Sequence, residues 1–119
     1  MSKNKSNSKS QSETVGVGKV PGRFKEFVQK YPDMAAAYNA LGDAARAAGP
    51  LDAKTRALVK LGIAIGMQHE GATHSHTRKA IEAGATPDEV RHAALLAVTT
   101  LGFPRMMAAR GWIEDVLSR

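Results

Sequence analysis

The 119-residue sequence contains no cysteine, which excludes disulfide bonds, thiolate metal ligands and catalysis by a thiol. No apolar stretch approaches the roughly 20 residues that a transmembrane helix needs, so we expect no membrane partner. The first dozen residues are polar and lack the apolar segment of a secretory signal. These absences predict a soluble, cytoplasmic protein.

Aromatic residues make up only 5% of the chain and are not interleaved with basic residues, so specific nucleic-acid binding is not expected. The formal net charge is +6, and half of it lies in residues 1–19. Serine, lysine and asparagine dominate this segment and cannot bury enough apolar surface to offset their ordering entropy. We therefore predict a disordered tail over residues 1–18 and one helical domain over residues 19–119.

The rest of the sequence has helical periodicity, and no segment alternates with the two-residue period of a surface strand. Thr86, Pro87 and Glu89 form a predicted capping box with proline in the first turn, and Gly84 is typical of a helix C-terminus. The predicted fold is an all-α bundle of six helices: Arg23–Tyr31, Asp33–Ala48, Ala53–Met67 after an Asp52 cap, Gly71–Ala83, Pro87–Leu101, and Pro104 to about Leu117.

Two of these helices contain segments that are apolar on every side, Leu61–Met67 and Ala93–Val98. Four other short helices in about one hundred residues cannot cover both segments, because small domains bury a limited fraction of their surface. We therefore expect helices of another copy to cover them, which predicts an obligate homo-oligomer.

Three of the four histidines lie between Met67 and Ala80. His69 and His76 are seven residues apart and separated by two helical turns, so one metal ion could not easily bridge both. Glu70 and His74 have i,i+4 spacing and are metal candidates, but we interpret them as an ion pair or a local hydrogen bond.

The face that carries His76 is largely apolar and includes Thr73 in the preceding turn. An imidazole there suits general acid/base catalysis, since it titrates near neutral pH. The alternative is a buried histidine satisfied by a backbone carbonyl. His92, between Arg91 and an apolar run, is interpreted as structural or exposed.

Three segments together, Leu51–Leu58, His76–Val90 and Leu101–Pro104, resemble the carboxymuconolactone decarboxylase and alkylhydroperoxidase D-like (AhpD-like) superfamily. The resemblance covers about Phe24 to Leu117. It implies an all-helical fold and assembly as a homodimer or a trimer of dimers, but it does not identify one reaction.

In the peroxidase branch of that superfamily, a Cys-x-x-Cys pair precedes the histidine and a glutamate feeds a proton relay. Counted back from His76, the two cysteine positions fall on His69 and Ala72, and the glutamate falls on Ala57. Imidazole and methyl groups cannot form a sulfenic acid or a disulfide, so no hydroperoxidase cycle is expected.

The decarboxylase branch keeps the histidine without the cysteines and is the better chemical match. The resemblance implies an enzyme, a carboxy-lyase or isomerase for a small carboxylated metabolite, with His76 and His69 as catalytic candidates and no cofactor. Arg105, Arg78 and Thr73 are the candidates for binding the substrate. The alternative is a non-catalytic oligomer that binds a small ligand or a metal on the same fold.

Overall fold

The computed structural model describes residues 22–119, and all regular secondary structure in this range is α-helical. None of these helices is both long enough and apolar enough to cross a bilayer. The predicted disordered tail, residues 1–18, lies outside the described residues. The helices are α1 (Gly22–Lys30), α2 (Pro32–Ala47), α3 (Ala53–Gly66), α4 (Glu70–Glu82), α5 (Pro87–Leu95), α6 (Val98–Leu101) and α7 (Phe103–Leu117).

The segment expected as one helix from Pro87 to Leu101 is interrupted at Leu96 and Ala97. There the Ala97 amide donates to the carbonyl of Ala94, three residues back, at 3.0 Å, which is the tighter 3₁₀ pattern. No glycine or proline marks this point, so the sequence did not indicate the interruption. With α5 and α6 counted as one interrupted helix, the predicted all-α fold of six helices is confirmed.

The chain divides into two compact units, of which the first ends at Pro50 and contains α1 and α2. Aromatic rings line one side of α1, with the centroids of Phe24 and Phe27 6.3 Å apart and those of Phe27 and Tyr31 5.3 Å apart. Pro32 begins α2, a position that suits proline because the first helical amide has no partner within the helix.

The second unit runs from Leu51 to Arg119 and contains α3 to α7. In it, α3 and α7 each pack against both α4 and α5. The largest apolar side chains with no exposed surface are Leu61 of α3, Val90 of α5 and Ile113 of α7. Alanines of α3, α4, α5 and α7 complete this core, and their small side chains permit close approach of the helices.

Three helix ends lie where the sequence predicted them: the beginnings of α3 and α5 and the end of α4. Asp52 caps α3 by accepting from the Thr55 amide at 2.8 Å. Thr86 and Glu89 form the reciprocal capping box of α5, with contacts of 2.9 and 3.1 Å. Gly84 follows the end of α4 with φ of 104°, the left-handed region that glycine adopts without steric cost.

Large apolar side chains remain exposed on the second unit of the single chain. Ile63 is 58% exposed and Met67 64% exposed, although the Leu61–Met67 segment was expected to be buried on every side. Leu61, Ala64 and Ile65 occupy the buried side of that segment. Residues 22–119 of a single chain therefore cover only part of these helices, and homo-oligomerisation stays a prediction.

Candidate functional site

The central helix of the histidine segment is α4, which buries Thr73, Thr77 and Ala80 in the core of the second unit. His74 and His76 diverge by roughly 200° around the helix axis, so they lie on opposite flanks of this buried face. Both histidine side chains are partly buried. The positive charge of Lys60 on α3 acts on His76, which lies on one flank. On the other flank, His74 contacts Asp115 of α7.

Burial, the largest cause, and the positive charges of Lys79 and Lys60 together lower the pKa of His76 from 6.5 to about 4. Each cause acts against the protonated ring, because an imidazolium loses solvation on burial and is repelled by neighbouring ammonium groups. Among residues 22–119 the His76 ring has no hydrogen-bond partner. In this part of the chain no backbone carbonyl therefore accepts from the ring, as the alternative of a buried structural histidine would require. At neutral pH His76 is an uncharged base beside two cationic side chains.

His69 has a structural task at the beginning of α4. Its Nδ1 atom accepts a hydrogen bond from the Ala72 amide at 2.9 Å and caps the helix. A ring nitrogen that accepts carries no proton, so the neutral ring holds its proton on Nε2. Sequence reasoning placed His69 at a lost cysteine position and did not identify this cap, since histidine is not among the common N-cap residues.

Thr73 is fully buried, and its hydroxyl has no hydrogen-bond partner among the described residues. One turn later, the Thr77 hydroxyl donates to the Thr73 carbonyl at 2.7 Å. Arg78 and Arg105, the two expected carboxylate ligands, both lie at the surface. Among the described residues no hydrogen bond or ion pair joins any of these three substrate-binding candidates to His76, and their role stays a prediction.

Gln68, which sequence reasoning missed, links α3 to the beginning of α7. It has φ of 52°, the only positive value at a non-glycine residue in the described part of the chain. Its side-chain amide donates to the carbonyl of Ile65 at 3.0 Å and to that of Arg105 at 3.2 Å. These two contacts offset the steric cost of a left-handed residue with a side chain.

An open groove of about 580 Å³ lies between α3, α5 and α6. Its walls are mainly apolar, with Leu58 and Leu101 among the lining residues, and His92 contributes an imidazole. His76 does not line this groove. Gly62 of the groove and Lys60 near His76 are about 160° apart around α3, so the two sites lie on opposite flanks of that helix.

Comparison with known protein families gives a match to this helical chain. The family described as "Carboxymuconolactone decarboxylase family" matches residues 32–115, well over half of the chain. The chain belongs to the carboxymuconolactone decarboxylase family. This family includes decarboxylases and peroxidase-like members.

One relative of this family member is a Haemophilus influenzae protein described as uncharacterized, which is 42% identical over 57 residues. The match covers 48% of this chain and 50% of the relative, so the chain spans half the length of that protein. No solved structure shows a significant match.

In this carboxymuconolactone decarboxylase family member, the opposite flank of α4 carries a second polar cluster. His74 Nε2 lies 3.2 Å from Asp115 Oδ2 of α7 and 3.9 Å from Glu70 Oε2 of its own helix. The expected contact between Glu70 and His74 is therefore present. Asp115 was missed because it follows His74 by 41 residues, and only the packing of α4 against α7 brings the two together.

Proposed function

We propose that this protein is an acid/base catalyst that decarboxylates or isomerises a small carboxylated metabolite, with His76 as the proton acceptor. The observation that supports this role is the uncharged, half-buried His76 imidazole beside Lys60 and Lys79. A carboxylate substrate is favoured by the positive potential of the two ammonium groups, which attracts small anions.

The lowered pKa keeps His76 unprotonated at neutral pH, although it also makes the ring a weaker base than free imidazole. The neutral ring can remove a proton from a carbon next to a carbonyl or lactone group, using its nitrogen lone pair. The imidazolium that forms is strongly acidic, because burial and the two lysines oppose its charge. It therefore returns the proton readily to another position of the substrate, which completes an isomerisation. In a decarboxylation the carbon–carboxylate bond breaks to release carbon dioxide, and the electron pair left on carbon takes a proton that the ring relays from water. Neither reaction needs an oxidant or a reductant.

Thiol peroxidase chemistry is not part of this proposal. The sequence has no cysteine, and the peroxidase cycle needs a thiolate that becomes a sulfenic acid and then a disulfide. Family membership alone would admit either activity, so the absence of thiols distinguishes between the two branches.

Assembly is the second part of the proposal. Ile63, Met67, Leu96 and Phe103 are each more than half exposed in the single chain. Covering such side chains with helices of another copy stabilises an oligomer through burial of apolar surface. Light scattering after size-exclusion chromatography is expected to show a homodimer or a trimer of dimers, and a monomer at all concentrations would contradict this part.

The catalytic role is tested with His76→Gln and the matched control His92→Gln, because His92 lies in the groove on the other flank of α3. The substrates are a panel of small carboxylated lactones, incubated in deuterium oxide and followed by proton NMR. We expect the signal of the abstracted proton to disappear through exchange with deuterium, or a decarboxylated product to form, with the wild type and with His92→Gln. Neither is expected with His76→Gln. Unchanged turnover by a folded His76→Gln variant would refute the assignment.

Binding of a small ligand without catalysis is the second candidate function, and the groove favours it. A volume of about 580 Å³ is within the range of small-molecule sites, which span roughly 300–1,000 Å³. Gly62 lines the groove, and a Cβ atom added there meets no atom within 4 Å, so Gly62→Leu is the variant chosen to fill the space.

The two candidate sites can be separated by measuring melting temperatures with the same panel of carboxylates. Ligand bound in the groove should lose its stabilising effect in Gly62→Leu and keep it in His76→Gln. Ligand bound beside His76 should show the reverse pattern.

A further inference from the structure

Three potential metal ligands meet where α4 packs against α7. They are Glu70 and His74, one turn apart on α4, and Asp115 near the end of α7. The carboxylate oxygens and His74 Nε2 all lie within 4.8 Å of one another. Among residues 22–119 this is the one group of three such side chains close enough to share an ion.

One of the three distances between the ligand atoms is already close to that of a tetrahedral zinc site. Zinc bonds of about 2.0–2.2 Å to nitrogen and oxygen place neighbouring ligand atoms about 3.3–3.6 Å apart in a tetrahedron. The separation of 3.2 Å between His74 and Asp115 is just below this range, and that of 3.9 Å between His74 and Glu70 is slightly longer. The Glu70 side chain is 59% exposed, so it can move closer without disturbing the core.

The charge of the three ligands and the fixed position of the His74 ring also suit a divalent ion. Two carboxylates and one neutral imidazole carry a charge of −2, which a divalent cation neutralises. The His74 side chain is only 18% exposed, so packing holds the ring while the more mobile carboxylates adjust around it.

We propose that Glu70, His74 and Asp115 form a binding site for Zn²⁺ or a divalent transition-metal ion of similar size. The three protein ligands leave the fourth tetrahedral position to water or to a small anion. The bound ion joins α4 to α7 and stabilises their packing. The site is on the flank of α4 opposite His76 and does not depend on the proposed catalytic function.

Titration of the full-length protein with Zn²⁺ alone, purified without a histidine tag, tests the site by calorimetry. We expect one ion per chain and a rise in melting temperature. His74→Gln and Asp115→Asn should each weaken binding by about tenfold or more, since even the outer partners of metal ligands change affinity by about 10–100-fold. His92→Gln removes an imidazole outside the cluster and should bind as the wild type does.

Cobalt provides a readout that an ordinary ion pair would not give. Co²⁺ at this site should produce the visible absorption of a four-coordinate ion in the wild type and in His92→Gln, and not in His74→Gln. The proposal is overturned if the folded wild type takes up no Zn²⁺ in molar excess, or if uptake is the same in His74→Gln. Equal loss in His92→Gln would place the ion elsewhere and would also overturn it.

Discussion

The pKa of His76 predicts how protein stability changes with pH. The ring titrates at 6.5 in an unfolded chain and at about 4 in the folded protein, so the unfolded state binds the proton first as the pH falls. Stability is therefore highest above pH 6.5, declines as the pH falls from 6.5 towards 4, and changes no further below 4 through this group.

The magnitude follows from the same two values. A change in pKa from 6.5 to about 4 corresponds to at most about 3.4 kcal/mol, at about 1.36 kcal/mol per pH unit. Because His76 is only half-buried, solvent screens the lysine charges, and we expect roughly 1–2 kcal/mol.

The measurement is urea unfolding of the wild type and His76→Gln at about pH 7.5 and about pH 4.5. All other ionisable groups are the same in both proteins, so the difference between the two losses of stability isolates His76. The wild type should lose roughly 1–2 kcal/mol more than the variant. Equal losses, or a larger loss in His76→Gln, would refute the argument that the folded protein keeps this ring neutral.

Three further predictions concern the fold and use urea unfolding. Thr86→Ala removes the capping box and should cost about 1 kcal/mol, whereas Thr99→Ala, at an exposed threonine of α6, should cost little. Gln68→Ala keeps the left-handed backbone but loses two hydrogen bonds, so it should cost roughly 1–2 kcal/mol. Gln68→Gly relieves the strain and should be more stable than Gln68→Ala by about 1 kcal/mol. Leu61→Ala creates a cavity in the core and should cost about 2–5 kcal/mol, far more than Met107→Ala at the surface.

Each of these three predictions would be contradicted by a specific result. Equal costs for Thr86→Ala and Thr99→Ala would show that the reciprocal cap adds nothing to stability. Gln68→Gly less stable than Gln68→Ala would mean that the positive φ is not strained. A Leu61→Ala variant as stable as Met107→Ala would contradict the position of the core.

Helix boundaries could be predicted because their chemistry is local. Asp52 and Thr86 bond to amides three residues away, and Gly84 permits the backbone turn that ends α4. The interruption after α5 could not be predicted, because Leu96 and Ala97 are ordinary helix formers. Gln68 was missed for a similar reason, since glutamine seldom occupies the left-handed region.

Helical spacing was enough to predict how the histidines are arranged around α4, but not what they contact on other helices. The spacing placed His74 and His76 on different faces and allowed Glu70 to meet His74. It did not indicate that His69 caps the helix, nor that Asp115 completes a cluster with His74 from another helix.

The sequence by itself determined the helical class, the positions of most helix ends and the absence of thiol groups, because each depends on residue type or on neighbours within a few positions. Tertiary structure alone decided that Lys60 acts on His76, that Asp115 reaches His74, and that the groove opens on the other flank of α3. These features depend on how helices far apart in the chain pack together. Their electrostatics and shape therefore follow from distances that no local pattern contains.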